Sequence, residues 1–120
     1  MVNANQKDAV GLLAKGQFDA AEGLFQHLLS QAPPDSEFRV LALVGLGLCE
    51  RAQNRPHSAV QYFEESLVLK PNLAAVENLL VLYRELGDEE RRKAAAKRAL
   101  EITVLPTDQR ARLVMIAGNA

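Results

Sequence analysis

A chain of 120 residues, 48% apolar and 24% charged, has the make-up of one compact folded domain. Its single cysteine excludes an internal disulfide, and four Phe, two Tyr and no Trp leave little for stacking nucleic-acid bases. The N-terminus MVNANQKDAV lacks a basic head before an apolar core, and the longest apolar run, Val40 to Cys49, spans ten residues, where a membrane helix needs about 20. A soluble, cytoplasmic chain without membrane insertion is expected.

The elements read in order as helices, because Ala and Leu dominate and β-branched residues are sparse. A first helix begins near Asn3 and stops at Gly16. Phe18 to about Gln31 is a second, ended by Pro33-Pro34. Ser36 caps a third that runs to about Gln53. Asn54-Arg55-Pro56 is a turn, with Pro56 suited to the first turn of a fourth helix reaching about Lys70. Asn72 caps a fifth, stopped by Gly87. Asp88 opens a sixth that ends near Thr103. Pro106-Thr107 opens a seventh, which reaches Ala117-Gly118. Such short connections make neighbouring helices antiparallel.

Charge is spread unevenly. Residues 1–90 hold seven Lys/Arg against thirteen Asp/Glu, net −6, and residues 91–120 hold seven against two, net +5. The basic end reads as the solvated face of a C-terminal helix, with a docking surface for an acidic partner as the sharper alternative.

The sequence also repeats. Ala21, Phe25, Leu29 and Pro33 recur as Ala59, Phe63, Leu67 and Pro71, each 38 residues on. A third copy follows at a spacing of 33, with Leu46 matched by Leu79, Ser66 by Ala99 and Leu67 by Leu100. Each copy is a pair of helices. The pattern resembles the tetratricopeptide repeat family, whose unit of about 34 residues reads W-x2-L-G-x2-Y, then A-x3-F, then P. Copy two carries Leu46-Gly47, Ala59-x3-Phe63 and Pro71. Copy one carries Ala21-x3-Phe25 and Pro33, but has Asp8-Ala9 in place of Leu-Gly. Copy three carries Leu79, Tyr83, Gly87 and Ala99, with Arg92 and Ala96 where the Ala and Phe belong.

The resemblance implies an all-α fold: a right-handed superhelical α-solenoid of about seven helices in antiparallel pairs. A single domain over 1–120 is expected, with repeats at about 2–35, 40–73 and 74–106 and a capping helix at about 107–117. Physics agrees that one pair cannot cover its own apolar face, so about three are needed. Phe25 and Phe63 should fill the gaps between helices, with Gly47 a position where bulk would push helices apart. Ala96 leaves the third pair thinner, a site for the last helix with Leu113, Val114 and Ile116 to cover.

Catalytic chemistry finds little support. Cys49 falls among Leu46, Leu48 and Ala52 and reads as a small buried hydrophobe. His57 follows eight residues later, yet nothing supplies an acid or an oxyanion site. His27 falls on the outer face of its helix. One Cys and two His without shared spacing make a poor zinc site, so neither metal nor cofactor is expected. Gly45-Leu46-Gly47 lacks the third glycine of a nucleotide loop, since Glu50 stands there and no strand precedes it.

The resemblance implies instead a concave groove lined by the first helix of each pair. Its positions fall on Gln6, Val10 and Leu13 in copy one. Copy two contributes Val44, Leu48 and Arg51. Copy three contributes Glu77, Asn78, Val81 and Arg84. An apolar strip edged by Arg51 and Arg84 suits an apolar or amphipathic partner segment carrying an acid, bound as a helix or extended. The family's two-carboxylate clamp is not expected, because Gln6, Val10 and Gly45 stand where Lys, Asn and Asn would be needed. The reading is a protein-interaction module, an adaptor, scaffold or small chaperone. The alternatives are a structural protein that oligomerises through exposed repeat ends or its C-terminal helix, and, least supported, an enzyme using Cys49.

Overall fold

The computed structural model describes residues 2–102 and 105–118. Seven helices run along them: α1 (Val2–Ala14), α2 (Phe18–Gln31), α3 (Glu37–Ala52), α4 (Pro56–Leu69), α5 (Leu73–Glu85), α6 (Glu89–Ala99) and α7 (Thr107–Gly118). Among the described residues there is no strand, and the all-α fold expected from the sequence holds. The chain divides into two compact units, Met1–Leu69 with α1 to α4 and Lys70–Ala120 with α5 to α7.

Helix starts are set locally. The Ser36 hydroxyl accepts a hydrogen bond from Arg39 N at 3.2 Å, the Asn72 side chain from Ala75 N at 2.9 Å, and the Asp88 carboxylate from Arg91 N at 3.1 Å. Each satisfies one backbone donor that the first helical turn leaves unpaired. Pro56 opens α4, where its missing N–H costs nothing.

The helix ends inside the pairs repeat one backbone motif. At the first tip Gly16 N–H donates to Leu13 O and Gln17 N–H to Leu12 O. At the second, Asn54 donates to Arg51 O and Arg55 to Glu50 O; at the third, Gly87 donates to Arg84 O and Asp88 to Tyr83 O. This is the paired 5→2 and 6→1 closure that requires one left-handed residue. Gly16, Asn54 and Gly87 supply it, with φ of 78°, 60° and 74°. Glycine does so without a steric penalty, and asparagine is among the few other residues that tolerate it. The three tips are spaced 38 and 33 residues apart, the same two periods that the side chains show.

In unit 1, α3 packs against α2 on one side and α4 on the other, and α1 touches both α2 and α3. The core gathers Ala21, Phe25, Leu28, Leu46 and Cys49, all at most 1% exposed. Phe63 and Ala59 of α4 are fully buried as well.

In unit 2, α6 lies between α5 and α7. Helix α6 stops at Ala99, short of the expected end near Thr103, a position outside the described residues. Its backbone tightens there: Leu100, Glu101 and Ile102 donate to the carbonyls three residues back, at 3.2, 3.1 and 3.0 Å. The Arg110 guanidinium of α7 then takes the freed carbonyls, donating to Leu100 O at 3.4 Å and Ile102 O at 3.0 Å. A cation at a helix C-terminus also meets the negative end of the helix dipole. Leu113 and Ala117 of α7 are buried.

Candidate protein-interaction surface

The Gly-x-Gly of α3 is a pair of steric notches. A Cβ on Gly45 would overlap the ring of Phe25 on α2. One on Gly47 would lie 2.7 Å from ring carbons of Phe63 on α4. Helix α3 therefore receives one aromatic ring on each side, and both rings are buried at the cost of two glycines within a helix.

This packing leaves another part of α3 partly open. Val44, Leu48 and Arg51 are all half-buried. On α1, Val10 is 47% exposed, Gln6 is half-buried, and Leu13 is half-buried against the core. Six of the ten expected groove residues thus lie on two helices in contact with each other. Two hollows on the surface of unit 1 lie elsewhere, one at the Gly16 tip and one between α1 and α2 at Gly11, Leu12 and Leu24, and neither includes Val44 or Leu48.

The remaining four residues lie on α5 in unit 2. Val81 is half-buried and Arg84 exposed. The Asn78 amide donates to Ala74 O of its own helix at 2.9 Å. Glu77 accepts from Arg112 of α7 at 3.0 Å, an ion pair that joins residues 35 apart in sequence.

Several cations of the basic end meet acids that precede it in the chain. Arg91 meets Asp88 at 3.6 Å and Arg92 meets Glu89 at 3.2 Å. With Arg110 on backbone carbonyls and Arg112 on Glu77, four of its cations have local partners.

Cys49 is fully buried, as expected of a small core residue. Its thiol is pushed up to about 11, first by burial and then by the negative charges of Glu22 and Glu50. A thiol held neutral at physiological pH is a poor nucleophile. His27 is exposed. Among the described residues no three His, Cys, Asp or Glu side chains converge on a metal position, and no helix is long and apolar enough to cross a membrane.

Sequence reasoning missed one feature. Glu50 is 4% exposed, with its Oε2 3.5 Å from Arg55 Nε. The neighbouring Glu50 carboxyl, then burial, raise the Glu22 carboxyl of α2 above its ordinary range, against the lowering effects of Arg55 and Gln53. Burial and the charges of Glu50, Glu22 and Glu65 raise the Tyr62 phenol too. The signal was available. Counting L-G-x2-Y from Leu46 puts Glu50 where the tyrosine belongs, and the equivalent residue of copy three, Tyr83, is 2% exposed.

Compared with known proteins, residues 74–103 match the family profile of the tetratricopeptide repeat. That stretch begins in α5 and passes through α6, and it is the copy whose second helix lacks the family's Ala and Phe. No curated protein matches the chain.

Proposed function

We propose that this chain, which carries a tetratricopeptide repeat at residues 74–103 within a run of like helix pairs, holds a segment of another protein against α1 and α3. Repeats of this kind are in general protein-interaction modules. The observation that carries the finer reading is the partly open apolar side of α3. Val44 and Leu48 remain half-buried although two glycines have drawn α3 tightly against its neighbours on both sides. With Val10 on the adjoining α1 they form a strip suited to an apolar or amphipathic segment. Arg51 would meet an acid on that segment.

Affinity capture followed by mass spectrometry, comparing the native chain with Leu48→Glu, tests this. The substitution should remove captured partners while the far-ultraviolet circular dichroism stays unchanged. Equal capture by both proteins would count against α3 as the binding element.

One observation favours the second reading, self-association through the C-terminal helix. Val114 is 50% and Met115 69% exposed on α7, apolar surface that contact with a second copy would cover. Light scattering should then show a mass that grows with concentration and falls back to the monomer in Met115→Glu. A monomer at all concentrations would remove this reading.

A further inference from the structure

Helices α1 and α2 leave an open hollow of about 400 Å³ on the surface of unit 1. Leu12 and Leu24 form its apolar part, both half-buried and packed against the core beneath. Lys7, Asp8, Gly11 and Lys15 of α1 complete the lining. The hollow lies apart from the α1–α3 strip, since none of Val10, Val44 and Leu48 lines it.

Nothing in the packing requires Gly11. It lies within α1, where glycine weakens a helix. A Cβ on it would meet nothing within 4 Å, whereas one on Gly45 or Gly47 would strike an aromatic ring. A larger residue would fit at this position and fill the hollow. What the glycine keeps is open space beside Leu12 and Leu24.

Charges are placed about that opening. Lys7 and Lys15 stand one helical turn to either side of Gly11, and both are exposed. Their Cα atoms are about 12 Å apart along the helix axis. Among the described residues neither forms an ion pair, in contrast to Arg91, Arg92 and Arg112. Asp8 also lines the hollow, which therefore carries two cations against one anion.

We propose that this hollow docks an acidic amphipathic helix of another protein. An apolar side chain of that helix sits over Gly11 against Leu12 and Leu24, and acids one turn to either side of it meet Lys7 and Lys15. A helix of pattern Glu-x3-Leu-x3-Glu repeats the spacing of the lysines. Burial of the apolar side chain supplies the affinity. The two ion pairs, open to water, set the choice and register of the partner. Asp8 repels an acid placed opposite it, which penalises a shifted register.

The probe is a synthetic helical peptide carrying one Glu-x3-Leu-x3-Glu set, titrated into the isotope-labelled full chain and followed by NMR. Amide shifts should change at Lys7, Gly11, Lys15 and Leu24. Replacing both glutamates by lysine should weaken binding about tenfold, and the Lys7→Glu/Lys15→Glu chain should reverse that preference. Gly11→Leu fills the hollow and should weaken binding about tenfold with unchanged circular dichroism. Leu48→Glu, which tests the α1–α3 strip, should leave this binding intact. Absence of shifts, equal binding of the two peptides, or undiminished binding to Gly11→Leu would each overturn the site. So would loss of binding in Leu48→Glu, which would put the peptide on the strip instead.

Discussion

In the second helix pair, Gly47 on α3 lies under the ring of Phe63 on α4. The same two register positions in the third pair, 33 residues on, are Leu80 on α5 and Ala96 on α6. All four are buried. The bulk has moved from the second helix of the pair to the first. Leu80 is buried where Gly47 stands in the second pair, and Leu113 of α7 is buried as well. An interior tolerates large and small side chains exchanged between facing positions when total volume is kept. A third register position breaks the symmetry. Tyr83 closes the third pair with an aromatic ring, while Glu50 brings a charge into the second.

The most disruptive test of this exchange is Phe63→Ala, which should cost about 3–5 kcal/mol from lost burial and a cavity. Urea denaturation of Phe63→Ala, Gly47→Leu and the double variant would sharpen it. The double variant transplants the third pair's arrangement and should be more stable than the sum of the single losses predicts. Strict additivity would mean that the two positions do not share one space.

Next in size is Gly45→Ala. Its Cβ would meet Phe25, so a loss of about 1–3 kcal/mol is expected, against the gain that alanine gives in an open helix. A stabilised Gly45→Ala protein would show that only Gly47 is a notch. A smaller effect, about 1 kcal/mol, is expected from Arg110→Ala, since the carbonyls it caps are partly accessible to other donors. Hydrogen exchange should report this loss in α7 and the end of α6, with α5 unaffected. Least visible is Cys49, whose thiol deprotonates only as pH approaches about 11. Alkylation at pH 8 should fail in the native chain and proceed in urea. Rapid native labelling would mean that the interior around Glu50 opens far more often than the buried rings of unit 1 suggest.

The sequence was legible where structure is decided locally. Ser36, Pro56, Asn72 and Asp88 mark helix starts because each acts within its own first turn, and the structure places them there. Gly16, Asn54 and Gly87 mark the ends for the same reason. Burial of Phe25, Phe63 and Cys49 followed from the repeat register. The end of α6 was less legible, because the group that receives its last carbonyls, Arg110, lies ten residues from Leu100. Glu50 was passed over for a different reason. Its residue type argues for water, and only the register argues for the interior.

By itself, then, the sequence determined that this is an all-α chain of paired helices with two internal periods, 38 and 33. Caps, left-handed tips and apolar spacing act over a few residues, and they survive any rearrangement of the helices. Tertiary structure alone decided which neighbour each glycine admits, that Arg112 reaches Glu77, and that Arg110 reaches the end of α6. Those outcomes depend on how one helix face is turned toward another, a choice made by the collective packing of the core and not by any single residue.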